Sequence, residues 1–136
     1  DACGCTFLDT GSPHVVRWVD NVQLVDVAKE GRAIRYNEVY HDGGTNVNFV
    51  EVTPDGIRVR TYERGVEDET LSCGTGVTAS VLASDSRGKT TAGLKSLKVF
   101  TPGGELKVRF NRIENSYQDI WLEGPAEAVF EGSINL

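Results

Sequence analysis

The chain has 136 residues, 39% of them hydrophobic, and carries a formal charge of −6 from 14 basic and 20 acidic side chains. That length suffices for one domain with its own core. The acidic balance, with no basic stripe, excludes nucleic acid as a partner, and no stretch approaches the roughly 18 apolar residues that cross a bilayer. The chain starts at Asp1, has no methionine and shows no signal-peptide pattern, which points to a fragment, a processed product or an incomplete chain. Three cysteines cannot all pair with one another, so a reducing, cytoplasmic location is the simpler expectation.

Taken in order, the first element is a strand at Val15-Val16-Arg17-Trp18-Val19, entered through a Gly11-Ser12-Pro13 turn. Leu24, Val27, Gly31 and Ile34 share one helical face, which predicts an amphipathic helix from about 25 to 36. Gly31 weakens it by about 1 kcal/mol relative to Ala. Residues 46–53 and 57–64 read as a hairpin around Pro54-Asp55-Gly56. In its second strand Ile57, Val59 and Thr61 face one way and Arg58, Arg60 and Tyr62 the other, which places the carboxylate of Glu63 on the apolar side.

A charge-free stretch, Val77 to Ser84, follows Cys73-Gly74-Thr75-Gly76 and predicts a helix buried on all sides, ending near Ser86-Arg87-Gly88. A second hairpin joins 97–100 to 106–110 through Pro102-Gly103-Gly104, a segment read as a turn and no more. Two closing strands are expected near 119–122 and 126–130, on either side of Gly124-Pro125. The fold class is therefore α+β: a mostly antiparallel curled sheet, a barrel-like roll, wrapped around a central apolar helix, with one amphipathic helix besides.

Cys73 leads the chemical candidates. The amides of Gly74, Thr75 and Gly76 have no acceptor inside the helix, and the helix dipole favours both a bound anion and a thiolate there. The alternative is an inert buried cysteine. His14 titrates near neutrality and would orient or deprotonate a thiol, unless it merely starts a strand. Glu63 and Arg64 suit a zwitterionic ligand, or form an ordinary solvated pair. Asparagine amides in Gly43-Gly44-Thr45-Asn46-Val47-Asn48 would bind a carboxylate or an ammonium group, or simply build the turn. Cys3-Gly4-Cys5 is too closely spaced for a zinc pair and reads as thiols of a terminal tail. No metal site is expected.

Gly11-Ser12-Pro13-His14, Gly44-Thr45-Asn46-Val47-Asn48-Phe49, Tyr62-Glu63-Arg64-Gly65 and Ser72-Cys73-Gly74-Thr75-Gly76 occur in that order, followed by Thr101-Pro102-Gly103-Gly104-Glu105-Leu106 and Gly124-Pro125-Ala126. Together, from about Phe7 to Leu136, they closely resemble the second half of the diaminopimelate epimerases. In that family two similar domains face each other across a cleft, so residues 1–136 would be one domain, and the first domain, with its own cysteine motif, is absent. The resemblance implies an isomerase that interconverts LL- and meso-diaminopimelate for lysine and peptidoglycan precursor synthesis, without pyridoxal phosphate, other cofactor or metal. Two cysteines, one from each domain, exchange the α-proton across opposite faces of the carbon.

By the same resemblance, Cys73, Glu63 and His14 would be catalytic. Ser12, Asn46, Glu63, Arg64, Gly74 and Thr75 would bind substrate, the α-carboxylate resting on the amides of Gly74 and Thr75. Ser12 stands where the family usually has Asn. The expected partners are the small-molecule substrate and the missing first domain, with a homodimer left open. Cys3 and Cys5 lack the Cys-Gly-Asn-Gly context of the partner cysteine, so this chain alone should be inactive. Rival readings are another racemase or isomerase of the superfamily, such as a proline racemase-like or phenazine-synthesis-like protein, a non-catalytic carboxylate-binding domain, and a Cys73–His14 hydrolase.

Overall fold

A computed structural model describes residues 4–40 and 42–136. Eight strands form one sheet: β1 (Cys5–Asp9), β2 (Pro13–Trp18), β3 (Asn46–Thr53), β4 (Gly56–Glu63), β5 (Asp68–Thr70), β6 (Ser96–Thr101), β7 (Gly104–Ile113) and β8 (Ser116–Glu123). The order across it is β1-β2-β3-β4-β6-β7-β8, and β5 adds to the end of β4. Five pairings are antiparallel and two, β2 with β3 and β4 with β6, are parallel. A parallel pair needs a crossover. Helix α1 (Val27–Arg35) supplies the first; β5 and α2 (Gly74–Ser86) supply the second.

The two crossovers lie on opposite faces. Helix α2 packs against β1, β2, β3, β4, β6, β7 and β8, so the sheet curls around it. Val77, Val81, Leu82 and Ala83 meet Val16, Val50, Ile57, Val59, Leu97, Val99, Val108 and Phe110 in the main core. Each of these Val, Ile, Leu and Phe side chains contributes about 1.5–3 kcal/mol on full burial, which explains a helix with no charged face. Helix α1 covers the outer side of β3 and β4 with a smaller cluster, Val22, Val27, Val47, Phe49 and Tyr62. The middle strands are thus buried on both faces, and Val47-Asn48-Phe49-Val50 reads as a continuous run.

Several expectations need correction. Tyr62, on the face of β4 opposite Ile57 and Val59, is buried beneath α1. A Cβ on Gly31 would overlap that of Tyr62 and stand 2.7 Å from its ring. Gly31 therefore does not simply weaken the helix; its bare backbone lets α1 approach the sheet. Leu24 lies before α1 in a short 3-10 turn (Val22–Leu24) and is 83% exposed. Asp26 caps α1, its side chain accepting from Lys29 N at 3.1 Å. Cys5 is a buried strand residue and no tail thiol, while Cys3 lies outside the described residues.

The last expected strand is absent. After Glu123 the chain has no regular structure, and Val129 and Phe130 are 87% and 88% exposed. Gly124-Pro125 ends β8, and the residues that follow pair with no strand among the described residues. Neither described helix is long and apolar enough to cross a membrane.

Candidate functional site

Cys73 is the N-cap of α2, in extended backbone with φ −129° and ψ 108°. It is half-buried and its thiol is free. Its carbonyl accepts the first helical bond, from Val77 N at 2.8 Å, but its side chain makes no capping bond. The amides of Gly74, Thr75 and Gly76 thus open the helix without a side-chain cap, beside the sulfur. The segment is held from two sides. Thr10, in the β1–β2 turn, donates its hydroxyl to Thr75 O at 3.0 Å. Gly103, in the β6–β7 turn, donates its amide to Leu71 O at 2.8 Å. That turn does more than close a hairpin: a Cβ on Gly103 would stand 3.0 Å from Leu71 O.

A polar chain runs from the sulfur into the core. Cys73 Sγ lies 3.6 Å from Thr75 Oγ1, and His14 Nε2 lies 2.9 Å from the same hydroxyl and 3.0 Å from Ser12 Oγ. On the far side of the ring, Asn48 Nδ2 is 3.1 Å from His14 Nδ1, and Asn48 Oδ1 accepts from Thr61 Oγ1 at 2.9 Å. His14 and Asn48 have no exposed surface. Burial holds the imidazole neutral, with its pKa lowered to about 4; the charge of Arg64 adds to this and that of Asp9 opposes it. Gly76 makes room for the cluster, because a Cβ there would overlap Asn48 Oδ1 and stand 3.2 Å from His14 Cε1.

The Cys–His hydrolase reading does not survive this geometry. It needs a basic imidazole at the thiol, whereas Thr75 stands between the two and His14 is buried and neutral.

Glu63 ends β4, and Arg64 follows it in a tight turn. Glu63 Oε2 accepts from Thr70 Oγ1 at 2.9 Å, and among the described residues no hydrogen bond joins it to Cys73 or His14. Arg64 donates its amide to Asn46 Oδ1 at 2.8 Å and its guanidinium to Gly43 O at 3.2 Å. Asn46 also donates to Pro13 O at 3.0 Å, so its amide ties the Arg64 turn to the start of β2. Asn46 is nearly buried and Asn48 wholly so, which turns the expected ligand amide at 48 into an internal one.

Glu67, which the sequence does not single out, anchors this turn. Its carboxylate takes Gly65 N at 3.0 Å, Arg35 Nη2 at 2.9 Å, Tyr36 OH at 2.9 Å and Tyr62 OH at 3.2 Å. The Gly65 amide, with Tyr36 and Arg35, lowers its pKa to about 2. These bonds hold Glu67 at φ 61°, a region costly for a residue with a Cβ. The Arg35 guanidinium passes over Gly44, at φ +71°, where a Cβ would occupy the same space.

Ser12, His14, Thr75 and Cys73 are thus one hydrogen-bonded group, and Asn46 with Arg64 a second one beside it. The sequence marked those positions but assigned Thr75 only a backbone role and read the Asn48 amide as a ligand-binding or turn-building group. The available signal was polarity within an apolar run: Asn48 sits between Val47 and Phe49 in a doubly covered strand. A cavity of about 730 Å³ lies elsewhere, lined by Arg58, Arg60, Glu69, Leu71 and Phe100, and includes none of the site residues.

A family model for diaminopimelate epimerase matches residues 6–129. The chain is 50% identical over 129 residues to the diaminopimelate epimerase of Flavobacterium psychrophilum, covering 94% of this chain and 50% of that protein. It is 50% identical over 136 residues to that of Chlorobaculum tepidum, covering 99% and 51%. The chain thus spans about half the length of these curated relatives. Among solved structures, a hydroxyproline epimerase from Agrobacterium vitis with bound trans-4-hydroxy-L-proline is similar in fold, with TM-score 0.58 and 13% identity over 87% of this chain and 40% of that one. A Bacillus anthracis phenazine biosynthesis protein of the PhzF family gives TM-score 0.56 and 23% identity over 82% and 36%.

Proposed function

The chain belongs to the diaminopimelate epimerase family, and from that premise we propose that it supplies one face of a two-thiol active site that inverts the α-carbon between LL- and meso-diaminopimelate. The observation that carries this reading is the free Cys73 thiol at the uncapped start of α2. The substrate α-carboxylate rests on the amides of Gly74 and Thr75, where fixed donors stabilise charge that grows as the α-proton leaves. A thiolate on one face takes that proton, and a thiol on the other face delivers a different one to the carbon. Cys73 is the member of the pair on this side. Neither step needs a cofactor or a metal.

Glu63 and Arg64 present opposite charges at one turn, which suits the second, zwitterionic end of a diamino diacid better than it suits proline. Asn46 positions Arg64 and the Ser12-Pro13-His14 segment. His14, being neutral and separated from the sulfur, acts on Cys73 through Thr75 and does not itself take the α-proton. The partners are the substrate and the other half of the enzyme, in the cytoplasm where lysine precursors are made. A homodimer of the whole protein is a further arrangement, read by sedimentation.

The test joins this chain to the half of the Chlorobaculum tepidum relative that it does not cover. Conversion of LL- to meso-diaminopimelate is expected from the joined protein, with none from this chain alone and none with L-proline. Turnover of proline, or of diaminopimelate by the isolated chain, contradicts the reading.

A further inference from the structure

The buried amide of Asn48 has no part in the scheme above, yet it touches the one ring that reaches the thiol's neighbour. Its Nδ2 lies 3.1 Å from His14 Nδ1 and 3.1 Å from Val15 O. A backbone carbonyl only accepts, so the NH2 end must face Val15 and the oxygen must face the Thr61 hydroxyl. Reversing the amide would set its oxygen against the Val15 carbonyl. With an N–H aimed at it, His14 Nδ1 must be unprotonated. The single proton of the neutral ring then sits on Nε2, between Ser12 Oγ and Thr75 Oγ1. A hydroxyl that accepts there keeps its own proton free to donate. For Thr75 the sulfur at 3.6 Å receives it, with Ser12 Oγ at 3.2 Å as the competing acceptor. The opposite tautomer would draw the hydroxyl proton toward the ring and away from sulfur.

We propose that Asn48 is a positioning residue for Cys73: it pins the Nε2–H tautomer of His14, and Thr75 passes that choice on as a hydrogen bond donated to the thiolate. The importance of the thiolate rests on the epimerase reading; the polarity of the chain does not. The charges that reach the ring are Asp9, at the end of β1, and Arg64, in the turn after β4. Neither contacts the Asn48 amide, so the tautomer is set by hydrogen bonding and not by charge.

The test is long-range nitrogen NMR of His14 together with the pH profile of Cys73 alkylation by iodoacetamide; resonances of the other histidine, His41, are assigned with H41Q. The expected result is His14 as the Nε2–H form and silent from pH 5 to 8. Asn48→Asp supplies an acceptor in place of the donor. It should put a proton on Nδ1, make His14 titrate within that range, and add an inflection to the Cys73 profile at the same pH. Thr75→Val should leave the tautomer intact but slow alkylation at pH 7 by about three- to tenfold, the effect of losing one hydrogen bond to a charged group, and Thr75→Ser should restore it. A wild-type ring protonated on Nδ1, or a Thr75→Val profile equal to the parent's, overturns the proposal. If Asn48→Asp does not fold, the wild-type tautomer and the Thr75 pair still decide. None of these readouts needs turnover. A relay that behaves as described in a joined protein without epimerase activity would remove the proposed function and leave the relay standing.

Discussion

Gly76→Ala sets two effects against each other, and the structure says which wins. In a helix interior the change should stabilise by about 1 kcal/mol, because alanine is the better helix former. Gly76 has ordinary helical backbone, so nothing in its own conformation opposes this. Its methyl, however, would overlap Asn48 Oδ1 and press on His14 Cε1 at 3.2 Å. Neither neighbour is a flexible tip, for both are fully buried and hydrogen-bonded on both sides. Overpacking of this kind costs about 1–3 kcal/mol. Displacing Asn48 also strains its bonds to His14, Val15 and Thr61, each worth about 0.5–1.5 kcal/mol. The balance is a net loss of about 1–3 kcal/mol, or a Tm lower by roughly 4–10 °C for a chain of this length. Urea and thermal unfolding followed by circular dichroism read both quantities. A Gly76→Ala protein as stable as the parent, or more so, would mean that α2 does not press on the His14–Asn48 pair as described.

Gly31→Ala should behave alike, since its methyl meets Tyr62 where propensity alone would favour alanine; thermal melts of the variant should show a loss of about 1–3 kcal/mol. His14 has a folded pKa of about 4 against an ordinary 6.5, so folding favours its neutral form. Its contribution is complete above pH 6.5 and lost as pH falls toward 4, about 3 kcal/mol in all. The difference between parent and His14→Gln unfolding midpoints should shift in that window and level off above it. Glu67, with its pKa lowered to about 2, stabilises as an anion above the ordinary carboxylate range and loses this as pH falls from about 4.5 to 2. Glu67→Gln should therefore lower the urea midpoint at pH 7, and the gap from the parent should close in acid.

Much of this architecture was legible because two periodicities are strong. The charge-free run after Gly76 announced a helix surrounded by protein, and alternation in 57–62 and 106–110 announced strands. What hid was nonlocal. Burial of Tyr62 depends on α1 folding over β4, which no window within β4 contains. The segment 126–130 has the composition of a strand but pairs with none, and composition does not supply a pairing. The short strands β1 and β5 gain their identity from pairing with β2 and β4. At the site, the residue types were visible while their wiring was not. Cys73, His14, Ser12 and Asn46 could be marked from motif alone. That Thr75 stands between thiol and imidazole, and that Asn48 turns inward, follows from the parallel register of His14 with Asn46 and from the missing methyl of Gly76.

The central claim is that the Cys73 sulfur moves a proton at the α-carbon. The direct measurement is epimerisation by the joined two-half protein in deuterated water, with Cys73→Ala beside it. The expected result is meso product carrying one solvent deuterium at the inverted carbon and none in recovered LL substrate at early times, with both inversion and exchange lost in Cys73→Ala. Product that keeps its original hydrogen, or a Cys73→Ala protein that still inverts the carbon, would contradict the account.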